Sequence, residues 1–259
     1  MVLLTGRFSI LFCTFATVTD TKKHKIEVCF TPAVYQRYHN TASNVVIVDI
    51  LRATTSIITA FMNGVNKLIP VGTLEEAKAY KDKGFMVAAE RDGIVRDFAD
   101  FGNCPSNFSK ERVAGKDIVY STTNGTQAIT MAKDCHMVAI GGYTNISALA
   151  DHLISDKRDV VILCAGWKDK FNIEDTLFAG ALAEKILKDK HFWTDCDSTF
   201  ASIDLWNIAK NDLSSYLEKA AQRHRLKKNK LDHCIEYCHT ADLTKIIPVL
   251  KNSSLVTLC

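Results

Sequence analysis

The sequence predicts an α/β fold: a mainly parallel or mixed sheet flanked by helices on both faces, in a three-layer α/β/α arrangement. Three observations predict it. Short apolar runs alternate with helix-period segments along most of the chain, the pattern of strand–helix units. Two of the runs, "VVIV" (45–48) and "VVILC" (160–164), show no polar alternation, as expected of central strands covered on both faces. No Gly/Ser linker, internal repeat or low-complexity tract divides the chain.

Taken in order, the strand-like runs are "KIEVCF" (25–30), "NVVIVD" (44–49), "KLIPV" (67–71), "FMVAA" (85–89), "DIVYS" (117–121), "HMVAI" (136–140) and "DVVILCA" (159–165). Helical spacing fills 53–63, 73–83, 124–133, 145–155 and 173–188 between them. Residues 199–240 are mostly helical in pattern, and "KIIPVLKNSSLVTL" reads as a closing hairpin turning at Asn252-Ser253. Residues 90–108 form the long irregular connection, and connections of that length in compact domains are often functional. Before residue 25 the sequence shows no strand of its own. Residues 1–24 are read as a loose, disordered extension or as the product of a start assigned upstream of the true one; the run "SILFCTFATV" after Arg7 only faintly resembles a signal segment. Residues 25–259 form the folded domain, with room for two α/β subdomains.

Composition narrows the function. The chain has 259 residues, 47% hydrophobic and 24% charged, with a formal net charge of +3. A balance this near neutrality leaves no footprint for nucleic acid. The basic run Arg223, His224, Arg225, Lys227, Lys228, Lys230 is local and reads as a solvated helix face. No run reaches the about eighteen apolar residues of a membrane span. Nine cysteines without a CxxC pair point to reduced thiols used as small hydrophobes in a cytoplasmic protein. The segment "HCIEYCH" (233–239) puts Cys234 and Cys238 on one helix face. No second ligand pair accompanies it, so core packing is the better reading.

In open parallel sheets, ligands gather outside the carboxyl ends of the strands. There this chain places Asp49 and Arg52; Glu90 and Arg91; "STTNGT" (121–126); and Glu174-Asp175 at a helix start. The "TTNGT" turn (Thr122, Thr123, Asn124, Gly125, Thr126) has the hydroxyl, amide and glycine chemistry of an anion cradle, and equally that of a helix cap. Asp49 can cap the following helix, ligate a hard cation such as Mg2+, or act as a nucleophile. Arg52 and Arg91 offer bidentate forks to phosphate, sulfonate or carboxylate, or pair with the neighbouring acids. Cys164, among carboxylates at a strand end, reads as packing. A Walker A loop is missing, and Leu51 stands where a haloacid-dehalogenase-like phosphatase would carry a second aspartate.

Together, "KIEVCFTP" (25–32), "VVIVDILRATTSI" (45–57), "AAERDG" (88–93), "DFGNCPSNF" (100–108), "STTNGTQAI" (121–129), "CAG" (164–166) with "ED" (174–175), and "IEYCHTADLTKIIPVL" (235–250) resemble the 2-phosphosulfolactate phosphatase (ComB) family. The resemblance spans nearly everything from residue 25 onward. It departs at Asp92, where the family usually has a second glycine. It implies a cytoplasmic, Mg2+-dependent phosphoric monoester hydrolase converting (R)-2-phospho-3-sulfolactate to 3-sulfolactate and phosphate, a step of coenzyme M biosynthesis. The partner would be a small phosphorylated acid, with homo-oligomers possible. On this reading Asp49, Glu174 and Asp175 hold the metal. Asp49, Arg52, Glu90, Arg91 and Asn124 carry catalysis, and Thr122, Thr123, Gly125, Thr126 and Asn103 bind substrate. The alternative is a domain that keeps the anion pocket without turnover, or a phosphatase for a different phospho-acid.

Overall fold

Each of the seven apolar runs forms a strand within a residue or so of its expected limits, and the helical segments fall between them. The computed structural model describes residues 22–258. The expected extension therefore lies outside the described residues up to residue 21, whereas His24 already opens the first strand. In chain order the elements are β1 (His24–Cys29), β2 (Asn44–Val48), α1 (Ala53–Met62), β3 (Lys67–Pro70), α2 (Leu74–Asp82), β4 (Met86–Arg91), β5 (Ile94–Val95), α3 (Lys110–Val113), β6 (Asp117–Ser121), α4 (Gly125–Met131), β7 (Met137–Gly141), α5 (Ile146–Asp156), β8 (Val160–Cys164), α6 (Ile173–Ile186), β9 (Phe192–Trp193), α7 (Asp197–Ala209), α8 (Leu213–Tyr216), α9 (Ala221–Lys228), α10 (Ile235–Cys238), β10 (Pro248–Lys251) and β11 (Ser254–Thr257).

All strands join one mixed sheet in the order β5-β4-β6-β3-β11-β10-β7-β2-β8-β1-β9. The order contains two parallel half-sheets. One is β7-β2-β8-β1-β9 and the other is β3-β6-β4. The C-terminal hairpin splices them. β10 pairs antiparallel with β7, and β11 pairs antiparallel with β3. Its turn is at Asn252 and Ser253, both with positive φ (49° and 62°), as a two-residue turn between right-twisted strands requires.

Two antiparallel steps and the hairpin itself leave the half-sheets running in opposite senses. A flat sheet would put their carboxyl ends on opposite edges, so the single edge expected of a parallel sheet is not what assembles the site. Twist does this instead. At roughly −20 to −25° per step, the six steps from β2 to β4 amount to about 120–150° of accumulated twist. The second half-sheet touches α1 directly: the Tyr120 hydroxyl, on β6, donates to the Ala53 carbonyl at the start of α1 (3.2 Å).

The core follows the strand period of two. Val46 and Val48 of β2, with Val160, Ile162 and Cys164 of β8, face α5 and α6. Val45 and Ile47, Val161 and Leu163, then Leu68, Ile118, Tyr120 and Leu255 from across the hairpin, face α1. Val87, Ala89 and Val119 face α2. Nine of the ten residues of α1 are buried, four of them Thr or Ser, yet all four hydroxyls nearest the site are paired. Thr54 donates to the Asp49 carbonyl, Thr55 to the Ile50 carbonyl, Ser56 to the Asn103 carbonyl and Thr59 to the Thr55 carbonyl. Buried hydroxyls with partners cost little, and here they tie the helix to the loops around its N-terminus. Cys234 and Cys238 pack in the main core beside α6, as their spacing suggested. Among the described residues no helix is long and apolar enough to cross a membrane.

Candidate active site

β2 ends one residue before Asp49, which forms the floor of a pocket between the two half-sheets. The same pocket is lined by Arg52, Glu90, Asn103, Thr123 and Asn124 from the expected set. The backbone at Asp49 is tightly held. Its carbonyl accepts from the Thr54 N–H (2.9 Å), its N–H donates to the Thr54 hydroxyl (3.1 Å), and its Oδ1 accepts from the Ala53 N–H (3.3 Å). Burial, reinforced by the Glu90 carboxylate, pushes the Asp49 carboxyl up to about 7, against the pull of the Ala53 N–H and the Arg52 guanidinium.

Two more acids stand behind it at the start of α6. Asp175 is wholly committed to backbone. Its Oδ1 accepts from the Ile50 N–H (2.9 Å) and its Oδ2 from the Gly166 N–H (3.1 Å). It anchors the loop after β2 to the loop after β8, and burial beside two other carboxyls holds its own carboxyl well above the usual range. Glu174 is different. It is 2% exposed, and its Oε1 has no hydrogen-bond partner. Burial first, then the neighbouring Asp49, pushes it up to about 7, while the Arg225 guanidinium draws it down. The only three-ligand cluster whose atoms meet within 4.8 Å among the described residues lies elsewhere, so these acids form no closed cage. Asp49 and Glu174 instead offer a pair of oxygen donors, one of them unsatisfied and buried. That donor set suits a hard divalent cation that keeps part of its water shell.

Arg52 is 4% exposed. Its Nη2 donates to Asn103 Oδ1 (2.9 Å), and Asn103 is held in turn by the Ser56 hydroxyl on its carbonyl (2.6 Å). Its buried Nη1 has no partner. Glu90 is a clamp. Its Oε2 accepts from the Gly93 N–H (2.6 Å) and its Oε1 from the Thr123 N–H (2.9 Å), fastening the β4–β5 hairpin to the turn after β6. Asp92 sits in that hairpin at φ 56°, a left-handed conformation that Asp tolerates better than most residues. In the "TTNGT" turn only Thr123 and Asn124 line the pocket. Thr122 and Thr126 are buried and bond to each other, the Thr126 hydroxyl donating to the Thr122 carbonyl (3.1 Å). Gly125 is needed for space: a Cβ there would lie 2.8 Å from the Ala53 Cβ and 3.3 Å from Asp49 Oδ2.

Arg91 is placed apart from the pocket. Its guanidinium donates to the carbonyls of Glu90 and Gly72 and to the Ser121 hydroxyl. The second cation at the pocket is Arg225, from the run expected to form a solvated face. Its Nε donates to Gln222 Oε1 (2.6 Å), and Gln222 donates to the Leu51 carbonyl (2.7 Å). The guanidinium stacks over Trp167, 4.3 Å from the ring centroid, and its buried Nη2 has no partner. Gln222, Arg225, Leu226 and Asn229 all line the pocket at i, i+3, i+4 and i+7, so one face of α9 closes it. Lys227, Lys228 and Lys230 of the same run are exposed, as expected. Cys164 is fully buried, and burial pushes its thiol well above the usual range, as a packing role predicts.

A family model described as 2-phosphosulpholactate phosphatase matches residues 29–253. This chain belongs to the 2-phosphosulpholactate phosphatase family. Family members are phosphoric monoester hydrolases, and the enzyme class expected from the sequence stands with them. The chain is 37% identical over 213 residues to a protein of Caldanaerobacter subterraneus subsp. tengcongensis, covering 81% of this chain and 88% of that one. It is 34% identical over 207 residues to a protein of Thermotoga maritima (80% and 88%) and 35% identical over 212 residues to one of Clostridium tetani (81% and 90%). All three are named probable 2-phosphosulfolactate phosphatases.

Proposed function

We propose that this protein hydrolyses a small phosphate monoester carrying a second anionic group, (R)-2-phospho-3-sulfolactate, to 3-sulfolactate and phosphate, with Mg2+ as cofactor. The observation that carries the reading is a pair of arginines, Arg52 and Arg225. Each lines the pocket, and each keeps one buried N–H group that no protein atom accepts. An orphaned guanidinium N–H is costly in the free protein and is satisfied when an anion arrives. Two of them, approaching from α1 and α9, suit a substrate with two anionic ends.

Asn103 holds one side of the Arg52 fork, so Arg52 meets a phosphoryl oxygen already oriented, without the entropy cost of a free side chain. Trp167 and Gln222 orient Arg225 in the same way for the distal sulfonate or carboxylate. Asp49 and Glu174 would hold Mg2+, which when bound neutralises phosphoryl charge and acidifies water. With Mg2+ bound Asp49 would stay a carboxylate, oriented by the Ala53 N–H on its Oδ1. The Thr123 N–H on Glu90 Oε1 fixes one part of the pocket wall, and Leu226 and Trp167 supply apolar lining to the same pocket.

The test is phosphate release from phosphosulfolactate and from p-nitrophenyl phosphate, with EDTA and with Mg2+ restored. Turnover of the first substrate that stops in EDTA and returns with Mg2+ is the expected result. Undiminished turnover in EDTA rejects the metal, and binding without turnover on either ester rejects hydrolysis.

A further inference from the structure

At the far end of β2 from Asp49, two loops bring three metal-binding side chains together. His39 precedes β2, and Asp134 and Cys135 precede β7. One ligand atom from each lies within 4.8 Å of the others. His39 Nε2 is 3.0 Å from Asp134 Oδ1. The Cys135 Sγ is 3.3 Å from the hydroxyl of Tyr35, a fully buried residue whose ring also braces the His39 ring edge-on at 5.7 Å. Nitrogen, oxygen and sulfur donors thus converge from segments 95 residues apart in sequence, and one of them is aimed by a buried hydroxyl.

We propose that His39, Asp134 and Cys135 form a second, thiophilic metal site that takes Zn2+, separate from the oxygen-lined pocket. The donor types decide the metal. Imidazole and thiolate are zinc ligands, whereas Mg2+ selects oxygen. In a tetrahedral zinc site, bonds of about 2.0–2.3 Å put donor atoms roughly 3.3–3.7 Å apart, so the observed cluster needs a contraction of about 1.5 Å at most. Asp134 is 56% exposed on its side chain, which leaves a solvent-facing position for a fourth ligand, a water. Binding replaces the S–H bond of Cys135 with an S–Zn bond and sends the proton to solvent. The Tyr35 hydroxyl then donates to the thiolate, the outer-shell contact such ligands commonly have. Five strand residues of about 3.3 Å each separate this corner from Asp49, so the ion would clip two loops together and take no part in phosphate hydrolysis.

The probe is Co2+, titrated into chelator-treated full-length protein with Mg2+ kept in excess to occupy oxygen sites. One equivalent should produce a near-ultraviolet thiolate-to-cobalt charge-transfer band, which Zn2+ then removes by competition. Cys135→Ser should lose the band, and His39→Ala and Asp134→Asn should each weaken Co2+ binding by about tenfold or more. Phosphatase activity should be unchanged in all three. Zn2+ should also raise the melting temperature of the parent protein but not of Cys135→Ser. No band, a band that persists in Cys135→Ser, or a band that needs millimolar Co2+ overturns the site. If Cys135→Ser fails to fold, the two variants at partly exposed positions decide, because equal Co2+ affinity in both and in the parent has the same meaning.

Discussion

At the scale of single residues the pocket is defined by what its arginines leave unsatisfied. Arg225 is held by Gln222 and Trp167 and keeps a free N–H; Arg91 spends its donors on backbone carbonyls and Ser121. The two therefore respond differently to the same conservative change. Arg225→Lys should lower kcat/KM for phosphosulfolactate by roughly 10- to 100-fold, mostly through KM, because lysine keeps the charge but loses the fork. On p-nitrophenyl phosphate, which lacks the second anion, the loss should be much smaller. Arg91→Lys should leave both substrates nearly unaffected and cost about 1 kcal/mol of stability in urea unfolding. Steady-state kinetics on the two esters separates these outcomes. The sequence made Asp49, Arg52 and Glu90 legible because they lie at or just beyond the carboxyl ends of buried runs, where polar residues have few structural reasons to sit. It pointed to Arg91 for the same reason, but strand ends do not reveal which way a side chain turns. Arg225 was hidden by its company: three of its basic neighbours are solvated, and its face of α9 carries only one apolar residue, Leu226, so no amphipathic signal marks it.

At the scale of elements, α1 is the part around which the site is built. Its position was legible as a helix following a strand, but its burial was not, because four hydroxyl residues in its first seven positions look like a wet or ligand-facing surface. Burial becomes affordable because every hydroxyl finds a partner, and one of these, the Asn103 carbonyl, lies in a distant loop that no local pattern announces. The N-terminus of α4 packs against it at Gly125. Gly125→Ala would press a methyl group into Ala53 and toward Asp49 Oδ2. We expect a loss of about 1–3 kcal/mol of stability from overpacking, together with a fall in kcat as the Asp49 carboxylate is displaced. Urea unfolding and steady-state kinetics on the same variant check both halves. A stable variant with unchanged kcat would mean that α4 can withdraw without disturbing Asp49.

At the scale of the whole molecule, two carboxyls pushed up to about 7 link stability to pH. In the unfolded chain they titrate near 4. The folded state therefore holds protons that the unfolded state releases, and the slope is negative across that window. The contribution of Asp49 and Glu174 is fully present below pH about 4 and is lost as pH rises through about 7. In EDTA, the urea midpoint should thus fall between pH 5 and pH 8, and Asp49→Asn should flatten part of the decline. Mg2+ should restore stability at pH 8 more than at pH 5, since it competes with those protons. A midpoint rising with pH in EDTA would contradict the burial described. The alternation of strands and helices conveyed the class of the sheet but not its order. Pairing partners are non-local, and nothing in "KIIPVLKNSSLVTL" says that this hairpin joins two half-sheets of opposite sense.

That hairpin has a consequence for biogenesis. It is synthesised after every other strand of the sheet, yet it sits in the middle, between β7 and β3. Until it emerges, both half-sheets carry an unpaired inner edge, and unpaired edges recruit other chains. Nor can the second half-sheet be carried round to Asp49, so the nascent chain has no assembled pocket. Chains ending at residue 247 should therefore collect in the insoluble fraction, and co-expressing residues 248–259 as a separate peptide should recover little. Soluble, active enzyme from the shortened chain would show that the two halves find each other without their splice.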